Sequence, residues 1–244
     1  MKKVTSVILL AAISMAGIFT SCKKTDKPAD PSFKCAACTA APDAMAANNT
    51  SSKGIYKGVL IGSTGTIKFD VLNNGTSITA LMVIDGVPVN LVSAISWVSG
   101  QPYVAPFTGM LAGAAVTINF SVDASGGTPI IISNNIPGHP SAQFSLVKET
   151  SLALVEVFEG TYSTTRPETG TFNIMVSRVL GKWGGVSRKS TGTSNGNVNG
   201  TIDANLNMID GGGSKMGVFS GDQLDGKFTD GSANTVTITG KRTL

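Results

Sequence analysis

Strict alternation of apolar and polar residues, recurring in segment after segment, is the feature that most limits what this chain can become. Val116, Ile118, Phe120 and Val122 fall on one side of an extended chain, with Thr117, Asn119, Ser121 and Asp123 on the other. Phe172, Ile174 and Val176 repeat the pattern, as do Ile67, Phe69 and Val71. Successive side chains of a strand point to opposite faces, so this period buries one face of a sheet and wets the other. On a helix it would scatter the same residues around the whole surface. One wet face is the mark of antiparallel rather than parallel sheets.

Further strands are expected over 77–85, 87–98, 103–111, 142–148, 152–162, 197–208, 215–224 and 235–241, separated by Gly, Asn and Asp turns. No segment carries a long amphipathic helical pattern. The fold class is therefore all-β, an antiparallel meander barrel or sandwich. Gly54-Ile55-Tyr56 followed by Gly65-Thr66-Ile67 resembles Gly160-Thr161-Tyr162 followed by Gly170-Thr171-Phe172. Phe107-Thr108-Gly109 with Gly113 is matched by Phe219-Ser220-Gly221 with Gly226. Two matches in the same order point to a duplicated unit. Two separate barrels or sandwiches, meeting at the polar break 149–151, are preferred over one large barrel, which would also remove exposed edges. The first repeat is assigned to 54–150 and the second to 151–244.

Ahead of the repeats, Met1-Lys2-Lys3 is a short basic start, and 4–19 is apolar and uncharged. This is the layout of an export signal, too short for a comfortable membrane span. The run ends Phe19-Thr20-Ser21-Cys22 and turns basic at Lys23 and Lys24. That junction resembles the lipobox of bacterial lipoproteins, in the relaxed form common in Bacteroidota. The resemblance implies a signal peptide over 1–21 and a lipid on the Cys22 sulfur. It also implies a home in the cell envelope, at the outer membrane, with the periplasmic side favoured over the cell surface. The membrane is then the first partner, and more than one acyl chain makes a stable anchor.

Residues 22–53 are rich in Ala, Pro, Lys, Asp and Ser and read as a flexible tether. Within it Cys35 and Cys38 are three apart, and in an oxidising compartment a local disulfide is the first expectation. Redox exchange would need a helix following the pair, haem attachment a His at Thr39, and zinc further ligands. None of these is present in the sequence.

No nucleophile elbow, phosphate loop or dinucleotide fingerprint occurs, so no catalytic residue, metal or cofactor is assigned. Asp203, Asn205 and Asn207 open like a calcium loop, but Met208 and Ser214 stand where Gly and Glu belong. Alternation with Ile202, Ala204 and Leu206 makes them the wet face of a strand. The only histidine, His139, lies in a Pro/Gly loop without an identifiable nucleophile. Glu156 and Glu159, three apart in a strand, face opposite ways. The formal net charge of +4 includes Lys2 and Lys3, which leave with the signal, so nucleic acid is excluded as a partner.

The expected function is a non-enzymatic binding or structural role, with an apolar small molecule, a glycan or an envelope protein as partner. The alternative is an envelope hydrolase acting on lipid or glycan. Leu91, Val92, Ala94, Ile95, Trp97 and Val98 run almost without polar interruption, with Tyr103, Val104 and Phe107 beyond the turn. Both faces of that hairpin should be covered, which makes Trp97, Tyr103 and Phe107 candidates for a ligand site or interface, inter-repeat packing foremost. The first repeat is thus expected to hold any greasy cleft, and the polar second to face water. Trp183, amid Arg178, Lys182, Arg188 and Lys189, is a candidate aromatic platform for an anionic or sugar surface.

Overall fold

Sixteen strands, and no α-helix, make up the described residues of the computed structural model, which are 33–244. The expected signal peptide and the lipid acceptor Cys22 lie outside them. The first eight strands are β1 (Gly54–Ile61), β2 (Gly65–Val71), β3 (Ile78–Ile84), β4 (Val87–Ser93), β5 (Tyr103–Leu111), β6 (Ala114–Val122), β7 (Ile130–Asn135) and β8 (Gln143–Lys148). They form one antiparallel meander in the order β7-β6-β5-β4-β3-β2-β1-β8. The second eight are β9 (Glu156–Thr164), β10 (Thr169–Ser177), β11 (Lys182–Lys189), β12 (Asn195–Ile202), β13 (Asn207–Asp210), β14 (Lys215–Ser220), β15 (Gln223–Thr229) and β16 (Thr235–Arg242). They close into a barrel when β16 pairs with β9.

Equal strand number and the same meander order are consistent with a duplicated unit. The first sequence match falls on equivalent strands, since β1 and β2 correspond to β9 and β10. The second does not. Phe107 lies in the fifth strand of its sheet, whereas Phe219 lies in the sixth of its own.

The first sheet curls but keeps a seam, because β8 pairs with β1 and not with β7. Between them runs Pro137-Gly138-His139-Pro140, and the Asn134 side chain donates to the Ala142 carbonyl at 3.3 Å where a ladder bond would otherwise sit. The interior is filled. Phe69 stacks on Phe120 with centroids 4.5 Å apart and meets Phe107 edge-on at 4.8 Å, while Tyr56 meets Phe120 at 5.2 Å. Each buried ring contributes about 2–3 kcal/mol by area.

Strand β1 is buried along its whole length. Tyr56 and Leu60 face the first core, whereas Val59 and Ile61 pack against Val155, Val157, Met175 and Val186 of the second half. Alternation places Lys57 on that second, apolar face. Its ammonium lies 2.6 Å from the Glu149 carboxylate, both side chains being at most 1% exposed, and it donates to the Val155 carbonyl at 3.1 Å. Glu149 also accepts the Asp43 and Val155 N–H groups at 2.7 and 2.9 Å. Both charges of this pair therefore have partners, which a buried charge requires.

Several expectations change. From Phe33 onward the tether is docked as a strap. The Cys35 N–H donates to Asp222 at 2.9 Å, Arg242 to the Thr39 carbonyl at 2.6 Å, and the Met45 N–H to Asn73 at 2.9 Å. Backbone hydrogen bonds do not depend on side-chain hydrophobicity, which is why the composition misled. The strand expected over 87–98 ends at Ser93, and its second face is open: Val92, Val98 and Val104 are exposed. The strand expected over 197–208 is a hairpin. Asp203 accepts the N–H groups of Asn205 and Asn207, each at 2.9 Å, and Leu206 takes φ +60° to close the turn. Asp203 and Asn205 therefore belong to the turn, and only Asn207, which opens β13, lies in a strand.

Candidate functional site

The two halves share an architecture but differ in what points inward. In the first, Ile, Val, Phe, Met and Leu meet at the axis. In the second, several inward positions are glycine, and large rings lie flat on the wall they leave bare. A Cβ on Gly160 would collide with the Phe172 ring, one on Gly170 with Tyr162, and one on Gly200 with the Trp183 indole. The side chains leave a cavity of about 640 Å³ in the middle of the barrel. That lies within the roughly 300–1,000 Å³ range of small-molecule sites.

Phe172, Trp183, Met208, Met216, Phe228 and Ile238 form its walls. One end is plugged by Phe158 and Phe219, whose rings meet at 5.1 Å above Ile202 and Leu224. The other end is rimmed by residues from the turns that follow β9, β11 and β15, among them Glu168, Gly192, Ser194 and Asp230. Deep inside, the one wall donor is already engaged: Trp183 Nε1 donates to the Ile209 carbonyl at 2.9 Å. The buried polar atoms without partners among the described residues belong to Glu159, Asn173 and Ser177, none of which lines the cavity. The deep part can therefore offer dispersion and apolar burial and nothing else.

Polar groups collect at the mouth. Lys189 Nζ lies 2.7 Å from Glu168, which also accepts the Tyr162 hydroxyl at 3.3 Å. The hydrogen bond from Lys189 holds the Glu168 carboxyl below its usual range. Burial pushes the Tyr162 phenol up, and the Glu168 charge adds to the effect, so Tyr162 stays a donor at neutral pH. Asp230 is held low by its hydrogen bonds from Asn234 and Ser232.

The residues singled out from sequence are scattered. Trp183 is 4% exposed and lines the cavity, so it is no surface platform, and Arg178 beside it in sequence is paired with Glu156 at 2.7 Å. Tyr103 and Phe107 lie in the filled first core, as inward positions of β5. Trp97 is half-buried at the edge of that core. It donates to Ser52 Oγ at 2.8 Å under the Lys53 ammonium, 4.3 Å from the ring, and is not among the residues between the two halves. The greasy cleft expected of the first repeat is in the second, because polarity on the outer face says nothing about the bore. Cys35 and Cys38 are bridged. Tyr162, Glu168, Lys189, Met208 and Met216 were not recognised as a site from sequence. Glycine at inward-facing positions of β9, β10 and β12, where a core residue belongs, was the available signal.

A second cluster lies at one end of the first sheet. Ser63 Oγ is 2.5 Å from His139 Nδ1, and Asp85 Oδ2 is 3.7 Å from the same nitrogen. Both partners share one side of the ring, so the carboxylate does not orient the imidazole from behind as a relay requires. Among the described residues no group of three His, Cys, Asp or Glu side chains could hold a metal ion, and no helix is long and apolar enough to cross a membrane. No protein-family model matches the chain, and no curated protein or solved structure matches it either.

Proposed function

We propose that this protein is a lipid-anchored binding protein of the bacterial envelope that carries a small apolar molecule in its second barrel. The observation that carries this reading is the dead-end bore with aromatic and methionine walls, set beside a first half of the same architecture whose bore is filled by side chains. The walls expose aromatic and methionine surface to the bore, and an apolar molecule bound there would take that surface out of water.

The lipid on Cys22 rests on the sequence junction, as does placement at the outer membrane.

The test is binding of N-phenyl-1-naphthylamine, a neutral apolar fluorophore, with energy transfer from Trp183. Gly196 faces the bore, where a Cβ would meet only Ser187 Oγ at 3.2 Å. Gly196→Phe should therefore obstruct the bore and abolish the signal while the protein stays folded. Equal binding by wild type and variant, or no binding by either, refutes the reading.

A second reading, a hydrolase, has the Ser63–His139 contact in its favour. Labelling of Ser63 by a fluorophosphonate, lost in His139→Gln, is what that reading requires.

A further inference from the structure

We infer that the cavity selects uncharged amphiphiles, and that Glu168 sets this preference by occupying Lys189, the cation of the rim that lines the bore. The inference rests on the carrier reading and names the class of ligand it takes.

The deep walls demand hydrocarbon, because they present no free donor or acceptor. A ligand that is hydrocarbon throughout would leave the mouth's hydroxyls facing apolar surface. The rim accommodates one polar head through Tyr162, Thr164 and Ser187, all of which line the bore. Each of these hydroxyls already donates, to Glu168, to the Arg166 carbonyl and to the Gly196 carbonyl, and keeps lone pairs that can accept from an alcohol head.

A charged head meets a different surface. Lys189 would be the natural partner of a carboxylate, but its ammonium is held by Glu168 at 2.7 Å, and Asp230 adds a second negative charge to the rim. Arg188 does not supply the missing cation. By alternation along β11 it points out of the barrel, and its guanidinium donates to Asn195 at 2.5 Å and to the Ser141 carbonyl at 3.0 Å. A cationic head, in turn, meets Lys189. With Arg166 of the same turn also acting on Glu168, two cations stand against the two carboxylates, so the rim offers no net charge to a head of either sign. A neutral alcohol head still finds hydroxyl oxygens that accept from it.

Displacement of N-phenyl-1-naphthylamine from residues 32–244, which contain both sheets and the strap whole, tests this with dodecanol, dodecanoate and dodecylammonium. Dodecanol should displace the probe at about fivefold lower concentration than either ion, the scale of one partly exposed charge interaction. In Glu168→Gln, Lys189 is released, and the preference for dodecanol over dodecanoate should collapse or reverse. In Lys189→Met the carboxylate stands alone, and that preference should widen while dodecylammonium gains. Dodecanoate binding as well as dodecanol to the wild type overturns the inference, as does a ratio that neither variant moves. In both cases the carrier reading survives. Failure of the probe itself to bind removes the carrier reading and this inference with it.

Discussion

Replacing Lys57 by Met should be among the most damaging single changes in the protein, and the structure sets the size of the effect. The substitution keeps the aliphatic stem but removes the ammonium that neutralises Glu149, a carboxylate with no exposed surface. Breaking a buried pair from one side costs about 3–5 kcal/mol, because a charge is left uncompensated. Two N–H donors, from Asp43 and Val155, remain on the carboxylate, so the lower end, about 3 kcal/mol, is expected.

Urea unfolding measures it, with a midpoint drop of about 1.5 M for a slope near ~2 kcal/mol per molar. The chain has two tryptophans, Trp97 packed on the first core and Trp183 inside the barrel. Single Trp→Phe versions therefore report each half separately. Because the pair sits between the halves, both probes should shift together. Adding Glu149→Gln to Lys57→Met removes the stranded charge but keeps an acceptor, and should recover about half of the loss. Salt should leave the effect unchanged, since a buried pair is screened little. A loss under about 1 kcal/mol, or a double variant worse than Lys57→Met alone, would show that the charge is not what the junction depends on.

Burial raises the Glu159 carboxyl, against opposing hydrogen bonds from Thr243 and Gly65, and one of its oxygens has no partner. A carboxyl with a raised folded value binds its proton more tightly when folded. Its contribution is full below the unfolded value and is lost as pH rises through the folded one. Glu159→Gln should therefore stabilise at pH 7 and leave stability near pH 4 little changed; a difference between variant and wild type that stays flat across a pH series of urea midpoints refutes this. Trp97→Ala removes a half-buried ring, its bond to Ser52 and the Lys53 contact. It should cost about 2 kcal/mol while leaving naphthylamine binding intact, and a loss of binding without loss of stability would return Trp97 to the ligand site.

What the sequence determined alone is the local structure. Alternation in β2, β6 and β10 named the strands, the fold class and the inward residues correctly, because side-chain direction along a strand is set by the backbone and needs no tertiary information. The close cysteine pair was legible for a similar reason, since three residues hold the two sulfurs within reach. The rule that an unbroken apolar run has both faces covered was sound but was applied to 91–98, which leaves the sheet at Ser93. It holds for β1, where Ile55, Val59 and Ile61 cover the second face and Lys57, reading as polar, is in fact buried.

Only the tertiary structure decided which half is hollow. Gly160, Gly170 and Gly200 look like turn formers in a list of residues, and their meaning depends on facing the axis of a closed barrel. Closure itself rests on β16 reaching β9, more than seventy residues away in sequence. The mouth is likewise assembled from turns far apart along the chain, and Glu168 reaches Lys189 only because β10 and β11 are adjacent strands of one hairpin. A cavity is the space that side chains leave when every strand is in place, and no single segment contains it.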